Sequence, residues 1–425
     1  MKVRGTRDLF GIEYELFNKI KNEFNVVANR YDASFIHLSA LETKEVVART
    51  SGADSDIVSK EMFFVSHIST GNTQEKASGN EHDNIILKPE GTASAIRALY
   101  DLGIKMQEPL RIAYADRMYR YCRPQKGRLR EFHQVGIEFF GSGYLIDIEA
   151  IAIAVDFLKS LHLLEYVTLN INTIGGPESR AEYAKALYIY FNQHKDAIEY
   201  LHTNPLRTLD KLSEDEKSKM LDMPSIYDYL TENDKKYFEN VLDGLKALGI
   251  NFKVNNSIIR GLDYYSHVVF EFTTQSTTAQ NTVLAGGRYD KLIEEISNIN
   301  NNGDRQSNSA IGWAAGIERL MLLHSEFIHS ESYAYKQAVA LINLECDQYA
   351  LTMCQRLRMH VSVNIISVNK LKKGLDMANK LGYVHVVVCG ENEIQSGKYM
   401  YKNLSSSEQK ILNIEELIKV LCERI

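Results

Sequence analysis

Apolar residues recur at helical spacing between Glu13 and about Tyr31, where Leu16, Phe17, Ile20, Phe24 and Val27 share one stripe and predict an amphipathic helix. A strand-like stretch, FIHLSAL, follows, and then a polar Gly/Ser/Asn-rich loop at 68–84 that reads as a hairpin tip. In IILKPEGTASAIRALYDLG a short strand meets Pro89 and Gly91, and a helix begins with its N-cap at Thr92 or a near neighbour. Residues 117–141, RMYRYCRPQKGRLREFHQVGIEFFG, are two period-two runs flanking a loop. Alternation puts Phe132, Gln134, Gly136 and Glu138 on one face of a strand and His133, Val135, Ile137 and Phe139 on the other.

Further along, 146–162 predicts a helix and YVTLNINTIGG a strand. From about 177 to 250 the chain is helical and rich in Lys, Glu and Tyr with no strand between, the pattern of an inserted helical subdomain. Strand character returns at IIRGLDYYSHVVFEFTT and NTVLAGGRYD, and AIGWAAGIERLMLLHSEF reads as a glycine-flanked helix. Past residue 330, QAVALINL, VNIISV and YVHVVVCG alternate with helical segments and close on NIEELIKVLCERI. That alternation predicts a small α/β domain with a largely parallel sheet.

The length of 425 residues implies two to four domains, and 44% hydrophobic residues suffice for their cores. A formal net charge of −6 argues against nucleic-acid binding by bulk charge, so such contact must use local basic surface. Cys122, Cys346, Cys354, Cys389 and Cys422 form no CxxC pair and no metal-ligand spacing with histidine, which suits a reduced cytosolic protein without a zinc site. No targeting peptide and no membrane span are expected.

Four segments concentrate polar residues where strands end or helices begin. In KPEGT (88–92), Glu90 and Thr92 offer acceptors for an ammonium, or equally a helix-capping turn. In the hairpin, Arg120 shares a face with Met118 and Cys122, and Arg123, Lys126, Arg128 and Arg130 crowd a turn marked by Pro124 and Gly127. Such a hairpin can hold a polyphosphate at one end and a polar small molecule at the other, or carry a merely solvated basic tip. RGLDYY (260–265) is an anion clamp beside a ring pocket, or a packed aromatic corner. Arg319 sits near a helix start, where backbone N–H groups add to its attraction for anions, unless it is an ordinary surface arginine. AGGRYDKL adds two glycines that let backbone approach a ligand closely. Neither GxxxxGK[ST] nor a strand followed by GxGxxG occurs, which excludes P-loop and dinucleotide folds.

Taken in order, these segments resemble the histidyl-tRNA synthetase family of class II aminoacyl-tRNA synthetases, from RGTRD at 4–8 to the C-terminal α/β unit. RGLDYY followed by VFE, with AGGRYD downstream, is the part most specific to histidine, and RPQKGRxRxFHQ followed by GxE is nearly as diagnostic. The resemblance implies an α/β chain: a class II antiparallel sheet flanked by helices at 1–170 and 255–328, a helical insertion at 171–254, and an anticodon-binding α/β domain at 332–425. It implies that Glu90, Thr92 and Gln134, around Gly91, hold the α-ammonium of L-histidine, while Glu138 and Tyr265, with Tyr264 beside them, hold the imidazole. Arg120 falls at the position that grips the α-phosphate of ATP, Arg319 at the one for the γ-phosphate, and Arg128 beside the phosphates. Arg260 falls at the catalytic arginine, which takes the role a metal ion has in some relatives. Mg²⁺ would bridge the outer phosphates, the tRNA partner would be tRNA(His), and the assembly a cytoplasmic homodimer.

This chain departs from the family pattern at several positions. Cys122 stands where the family usually has a glutamate that touches the adenine amino group, within the ATP site. Ser39 replaces the motif 1 proline, Lys88 stands where arginine is common, and Ser266-His267 follows the tyrosine pair. Residues 331–425 carry 12 Lys/Arg against 10 Asp/Glu, so anticodon binding would rest on a local patch including Lys370, Lys372 and Lys373. The competing reading is a non-catalytic paralogue such as the regulatory subunit of ATP phosphoribosyltransferase. Such subunits generally lack the C-terminal domain and lose catalytic residues, whereas this chain keeps Arg260 and the C-terminal unit. A pseudo-synthetase that senses uncharged tRNA would come fused to a kinase, and nothing here resembles one.

Overall fold

The computed structural model describes residues 2–51, 55–65, 84–106, 109–193, 205–212, 220, 222–258, 264–275, 281–299, 309–328 and 336–424. They fall into two compact units, Met1–Ile328 and His329–Ile425.

The alternating runs of the first unit become two ten-residue strands paired antiparallel, and a larger sheet grows around them. Its strands are β1 (Ser34–Phe35), β5 (Leu110–Tyr119), β6 (Glu131–Phe140), β7 (Thr168–Thr173), β8 (Lys253–Val254), β9 (Ser266–Thr273), β10 (Thr282–Arg288) and β11 (Ala310–Gly316). They lie in the order β1-β5-β6-β11-β10-β9-β7-β8, antiparallel except at the two edges, where β1 runs parallel to β5 and β8 to β7. Strands β2 (Leu41–Thr43), β3 (Phe63–Phe64) and β4 (Ile85–Leu87) form a separate three-stranded sheet. The helices are α1 (Ile12–Arg30), α2 (Lys44–Ser51), α3 (Asp56–Lys60), α4 (Thr92–Asp101), α5 (Tyr144–Ser160), α6 (Pro177–Gln193), α7 (Pro205–Lys211), α8 (Glu232–Ala247), α9 (Leu292–Ile299) and α10 (Ile317–Phe327).

The predicted stripe of α1 is buried at Leu16, Ile20, Phe24 and Val27, and the helix packs on α5 and α10. Val135, Ile137 and Phe139 point into this same core, as the period-two reading requires, so Gln134 and Glu138 face the other side of the sheet. Trp313 of β11 stacks on Phe157 at 6.0 Å and meets Phe24 edge-on at 5.9 Å.

The structure corrects several expectations. AIGWAAG is strand β11, and only the following residues form α10. FIHLSAL yields no continuous strand, only β1 and the start of β2. The glycines of AGGRYD do not line the cavity described below: an added Cβ at Gly286 would meet the backbone of Gly312, and one at Gly287 would meet the Tyr265 ring. They let neighbouring chain approach, not a ligand. The polar loop at 68–83 lies outside the described residues.

In the second unit, β12 (Lys336–Asn343), β13 (Val363–Ser367) and β14 (Tyr383–Cys389) are parallel. Helices α11 (Asp347–Arg358) and α12 (Leu371–Lys380) connect them, and α13 (Glu391–Ser396) follows. An antiparallel hairpin that the sequence reading missed, β15 (Tyr399–Asn403) and β16 (Gln409–Leu412), extends the sheet before α14 (Ile414–Arg424). Lys370, Lys372 and Lys373 are exposed around the start of α12. No helix among the described residues is long and apolar enough to cross a membrane.

One buried ion pair ties three elements of the first unit. Arg288 of β10 donates through Nε to Asp147 of α5 at 2.9 Å, and Tyr237 of α8 donates to the same carboxylate at 2.8 Å. Replacing Asp147 with Asn should leave the buried Arg288 charge underpaired and cost about 3–5 kcal/mol of stability. Urea unfolding checks this, and a loss under about 1 kcal/mol would mean that water takes up the freed charge.

Candidate active site

Sheet register builds the site. Gln134 lies opposite Asp116 on β5 and Gly316 on β11, and Glu138 opposite Ile112 and Gly312. On the face away from α1 these strands floor a cavity of about 340 Å³, lined among others by Glu90, Gly91, Thr92, Arg120, Cys122, Arg128, Gln134, Tyr264, Tyr265 and Arg319. Residues from four distant stretches of sequence therefore meet in one pocket. Arg260 lies outside the described residues.

Glu138 is fully buried and sits beneath the cavity lining, not on it. Thr92 Oγ1 donates to its Oε1 at 2.8 Å, the Tyr114 hydroxyl to the same oxygen at 3.3 Å, and the Tyr289 hydroxyl to Oε2. Two glycines make room for this cluster: an added Cβ would collide with the Tyr114 ring at Gly136 and with the Glu138 carboxyl at Gly312. Burial pushes the Glu138 carboxyl from its ordinary 4.5 up to about 8, against the opposing hydrogen bonds from Tyr289 and Thr92.

Glu90 caps α4. Its two carboxylate oxygens accept the backbone N–H groups of Thr92 and Ala93, each at 2.8 Å. The capping group is thus Glu90 and not Thr92, whose hydroxyl is engaged by Glu138. Burial pushes the Glu90 carboxyl up as well, opposed chiefly by those two N–H groups. Gln134 Oε1 is buried without a hydrogen-bond partner in a wall of the cavity. Two acids strained upward by burial and one orphaned acceptor make this part of the pocket a receptor for a cationic, hydrogen-donating group.

Three arginines line the same cavity, and Arg120 lies close enough to Glu90 to draw its carboxyl down. Arg120 donates from Nε to Pro89 O at 2.8 Å and lies over the Phe132 ring. Arg128 pairs with Glu61. Arg319, in the first turn of α10, donates to Gly127 O at 3.1 Å and Thr282 O at 2.7 Å. Beside it, Glu318 accepts from the backbone N–H of His133 at 3.0 Å and contacts His133 Nδ1 at 2.7 Å, stapling α10 to β6 next to Gln134. Cys122 is buried with its Sγ 3.5 Å from Leu129 O, offering no strong acceptor to a base.

Sequence reasoning missed Tyr114, Tyr289 and the Glu318–His133 staple. Tyr289 stood in the quoted AGGRYD segment, where only the glycines were read. Tyr114 lay between two alanines in β5, a strand from which no site residue was drawn.

A family model described as Histidyl-tRNA synthetase matches residues 72–320, and one described as Anticodon binding domain matches residues 336–424. A histidine–tRNA ligase of Ehrlichia chaffeensis is 37% identical over 436 residues, which cover 100% of this chain and 98% of that protein. One from Gluconobacter oxydans is 36% identical over 98% of this chain and 97% of its own length. Among solved structures, the apo histidyl-tRNA synthetase of S. aureus superposes with a TM-score of 0.76 at 26% identity, over 99% of this chain and 100% of that one.

Because Glu138 holds its proton to about pH 8 when folded but releases it near 4.5 when unfolded, its stabilising effect is complete below the lower value and is lost as pH rises through the upper one. The Tm of Glu138→Gln relative to the parent should therefore climb between about pH 5 and about pH 9 in ligand-free protein. A difference that does not move with pH would mean that Glu138 is ionised throughout.

Proposed function

The chain belongs to the histidyl-tRNA synthetase family, and from that premise we propose how its pocket works. It is a histidine–tRNA ligase: it joins L-histidine to ATP as histidyl-adenylate with release of pyrophosphate, then passes the histidyl group to the 3′ end of tRNA(His). The regulatory-subunit reading is not favoured, since the relatives matched over full length are named ligases and the C-terminal unit matches an anticodon-binding model.

The observation that carries the residue assignment is the meeting of a buried Glu90, an unpartnered Gln134 oxygen and three arginines around one cavity. Glu90, Thr92 and Gln134 take the α-ammonium, with the Gln134 oxygen gaining the partner it lacks. Tyr265, with Tyr264 beside it, takes the imidazole, and Glu138 acts on that ring from beneath through its cluster of hydroxyls. Arg120 grips the α-phosphate, Arg319 the γ-phosphate, and Arg128 reaches the phosphates after leaving Glu61.

The chemistry is an in-line displacement. A histidine carboxylate oxygen forms a bond to the α-phosphorus as the bond to the bridging oxygen breaks, and pyrophosphate departs with the electron pair. Positioning and charge neutralisation do most of this work. Arg260, from the RGLDYY segment, shares with Arg120 the charge growing on the phosphoryl oxygens. Mg²⁺ would enter with ATP as the counter-ion of its phosphates. In the second step a ribose hydroxyl of the tRNA attacks the acyl carbon and the adenylate leaves as AMP.

The catalytic part is 1–170 with 255–328. The helical region 171–254 meets the acceptor arm, and 332–425 reads the anticodon with a patch including Lys370, Lys372 and Lys373. The protein works in the cytoplasm as a homodimer, and the exposed apolar Leu41 and Phe64 of the small sheet are consistent with a covered face there.

Histidine-dependent ATP–pyrophosphate exchange tests the assignment, with the other amino acids as controls. Exchange with histidine alone is the expected outcome, and none from folded, histidine-binding protein would overturn it. In the same assay Cys122→Glu should lower the KM for ATP, by up to roughly tenfold if it restores one hydrogen bond to adenine. An unchanged KM would mean that the base is held elsewhere.

A further inference from the structure

Arg180 stands in the first turn of α6, in the helical region between β7 and β8. Its Nη1 donates to the backbone carbonyl of Tyr265 at 2.9 Å. Tyr265 is the tyrosine assigned above to the imidazole. Its ring lines the cavity and lies 4.7 Å from that of Tyr264. A side chain from the inserted region therefore ends on the main chain of a pocket residue.

The backbone just beyond Tyr265 does not hold its shape unaided. His267 has φ +50°, in the left-handed region, where a residue with a Cβ is sterically disfavoured. Such a conformation persists only where its surroundings over-determine it. The His267 N–H donates to Gly175 O at 3.0 Å, and its carbonyl accepts from Ile174 N at 2.8 Å. Between the two residues, Ser266 Oγ donates to Asp290 at 2.8 Å. Gly175 and Ile174 immediately precede α6, so the root of the inserted region supplies the tethers on both Tyr265 and His267.

The first turn of α6 is fixed in its turn. Ser179 Oγ donates to Asp234 of α8 at 2.5 Å and accepts from Thr231 N at 2.9 Å, and the backbone of Gly176 also hydrogen-bonds to Asp234. A continuous path of hydrogen bonds runs from α8 through α6 to the Tyr265 carbonyl.

We propose that Arg180 is a positioning residue for histidine recognition: by holding the Tyr265 carbonyl it sets where the Tyr265 ring stands, so the inserted helical region shapes the amino-acid pocket without touching the substrate. This rests on the assignment of Tyr265 to the imidazole.

ATP–pyrophosphate exchange with Arg180→Met, Arg180→Lys, Tyr265→Phe and the Arg180→Met/Tyr265→Phe double variant tests it, with thermal melts in parallel. Arg180→Met should raise the KM for histidine about tenfold, the scale of one lost charge-assisted hydrogen bond, and leave the KM for ATP within about twofold. Arg180→Lys, which can still reach one carbonyl with a cation, should recover most of the loss. In the double variant the two effects should add to less than their sum, because both act through one phenol. An unchanged KM for histidine in Arg180→Met overturns the proposal. So does a parallel rise in both KM values with a lowered Tm, which marks a merely structural arginine. Where Arg180→Met does not fold, Arg180→Gln carries the same test, and a parental KM for histidine in it is equally decisive. If Tyr265→Phe itself leaves the KM for histidine unchanged, the imidazole assignment fails; if Tyr265→Phe raises it and Arg180→Met does not, only the present proposal fails.

Discussion

The register of β6 between β5 and β11 is the constraint from which the catalytic unit follows. Alternation sends Val135, Ile137 and Phe139 into the core under α1 and α5, and leaves Gln134 and Glu138 on the cavity side. A slip of one residue would exchange the two sets, putting a carboxylate into the apolar core and aromatic bulk into the pocket. Apolar burial on one face thus fixes the chemistry on the other. The two glycines that clear space for Tyr114 and for the Glu138 carboxyl, Gly136 and Gly312, lie in the same register and have no meaning outside it.

Electrostatics then sets the character of the cavity. Glu90 and Glu138 are buried acids at and beneath its wall, and Arg120, Arg128 and Arg319 line the same wall. The free protein keeps these cations engaged, Arg128 on Glu61 and Arg319 on two backbone carbonyls. Within the proposed assignment, each would exchange an acceptor it already holds for a phosphate oxygen. The Glu318–His133 staple joins the residue before Arg319 to the residue before Gln134 and so ties α10 to β6 across the cavity wall.

How far the sequence reveals this depends on how each signal is written. The β6 alternation was legible because one face is polar for function and the other apolar for packing. AIGWAAG was not, because β11 is buried on both faces and its run of small apolar residues carries no period to tell strand from helix. The β15–β16 hairpin escaped for the opposite reason, since its short strands are mostly polar or half-buried and bracket a serine turn. The described motif residues other than Glu138 line one cavity, yet the partners that complete them did not announce themselves. Tyr114 and Tyr289 look like core aromatics, and Arg180 like a helix-surface cation, because their roles depend on groups far away in sequence.

Glu138 shows why such partners alter the functional argument. From sequence, a buried carboxylate in the side-chain pocket discriminates by being left unpaired when the wrong amino acid enters. In the structure it is never unpaired, for Thr92, Tyr114 and Tyr289 already supply hydroxyls. The penalty for a wrong side chain cannot then be a bare charge. What burial leaves instead is a carboxyl poised near pH 8, close to neutrality at physiological pH. Histidine's side chain titrates ordinarily near 6.5, so it too changes charge close to neutrality. Within the proposed assignment, imidazole and Glu138 together need only one proton, and its position on either group gives a balanced pair. An aliphatic or amide side chain brings no titrating partner for that proton. Within that assignment, the hydroxyl cluster that holds Glu138 and the tyrosine pair above it together frame the place for the ring.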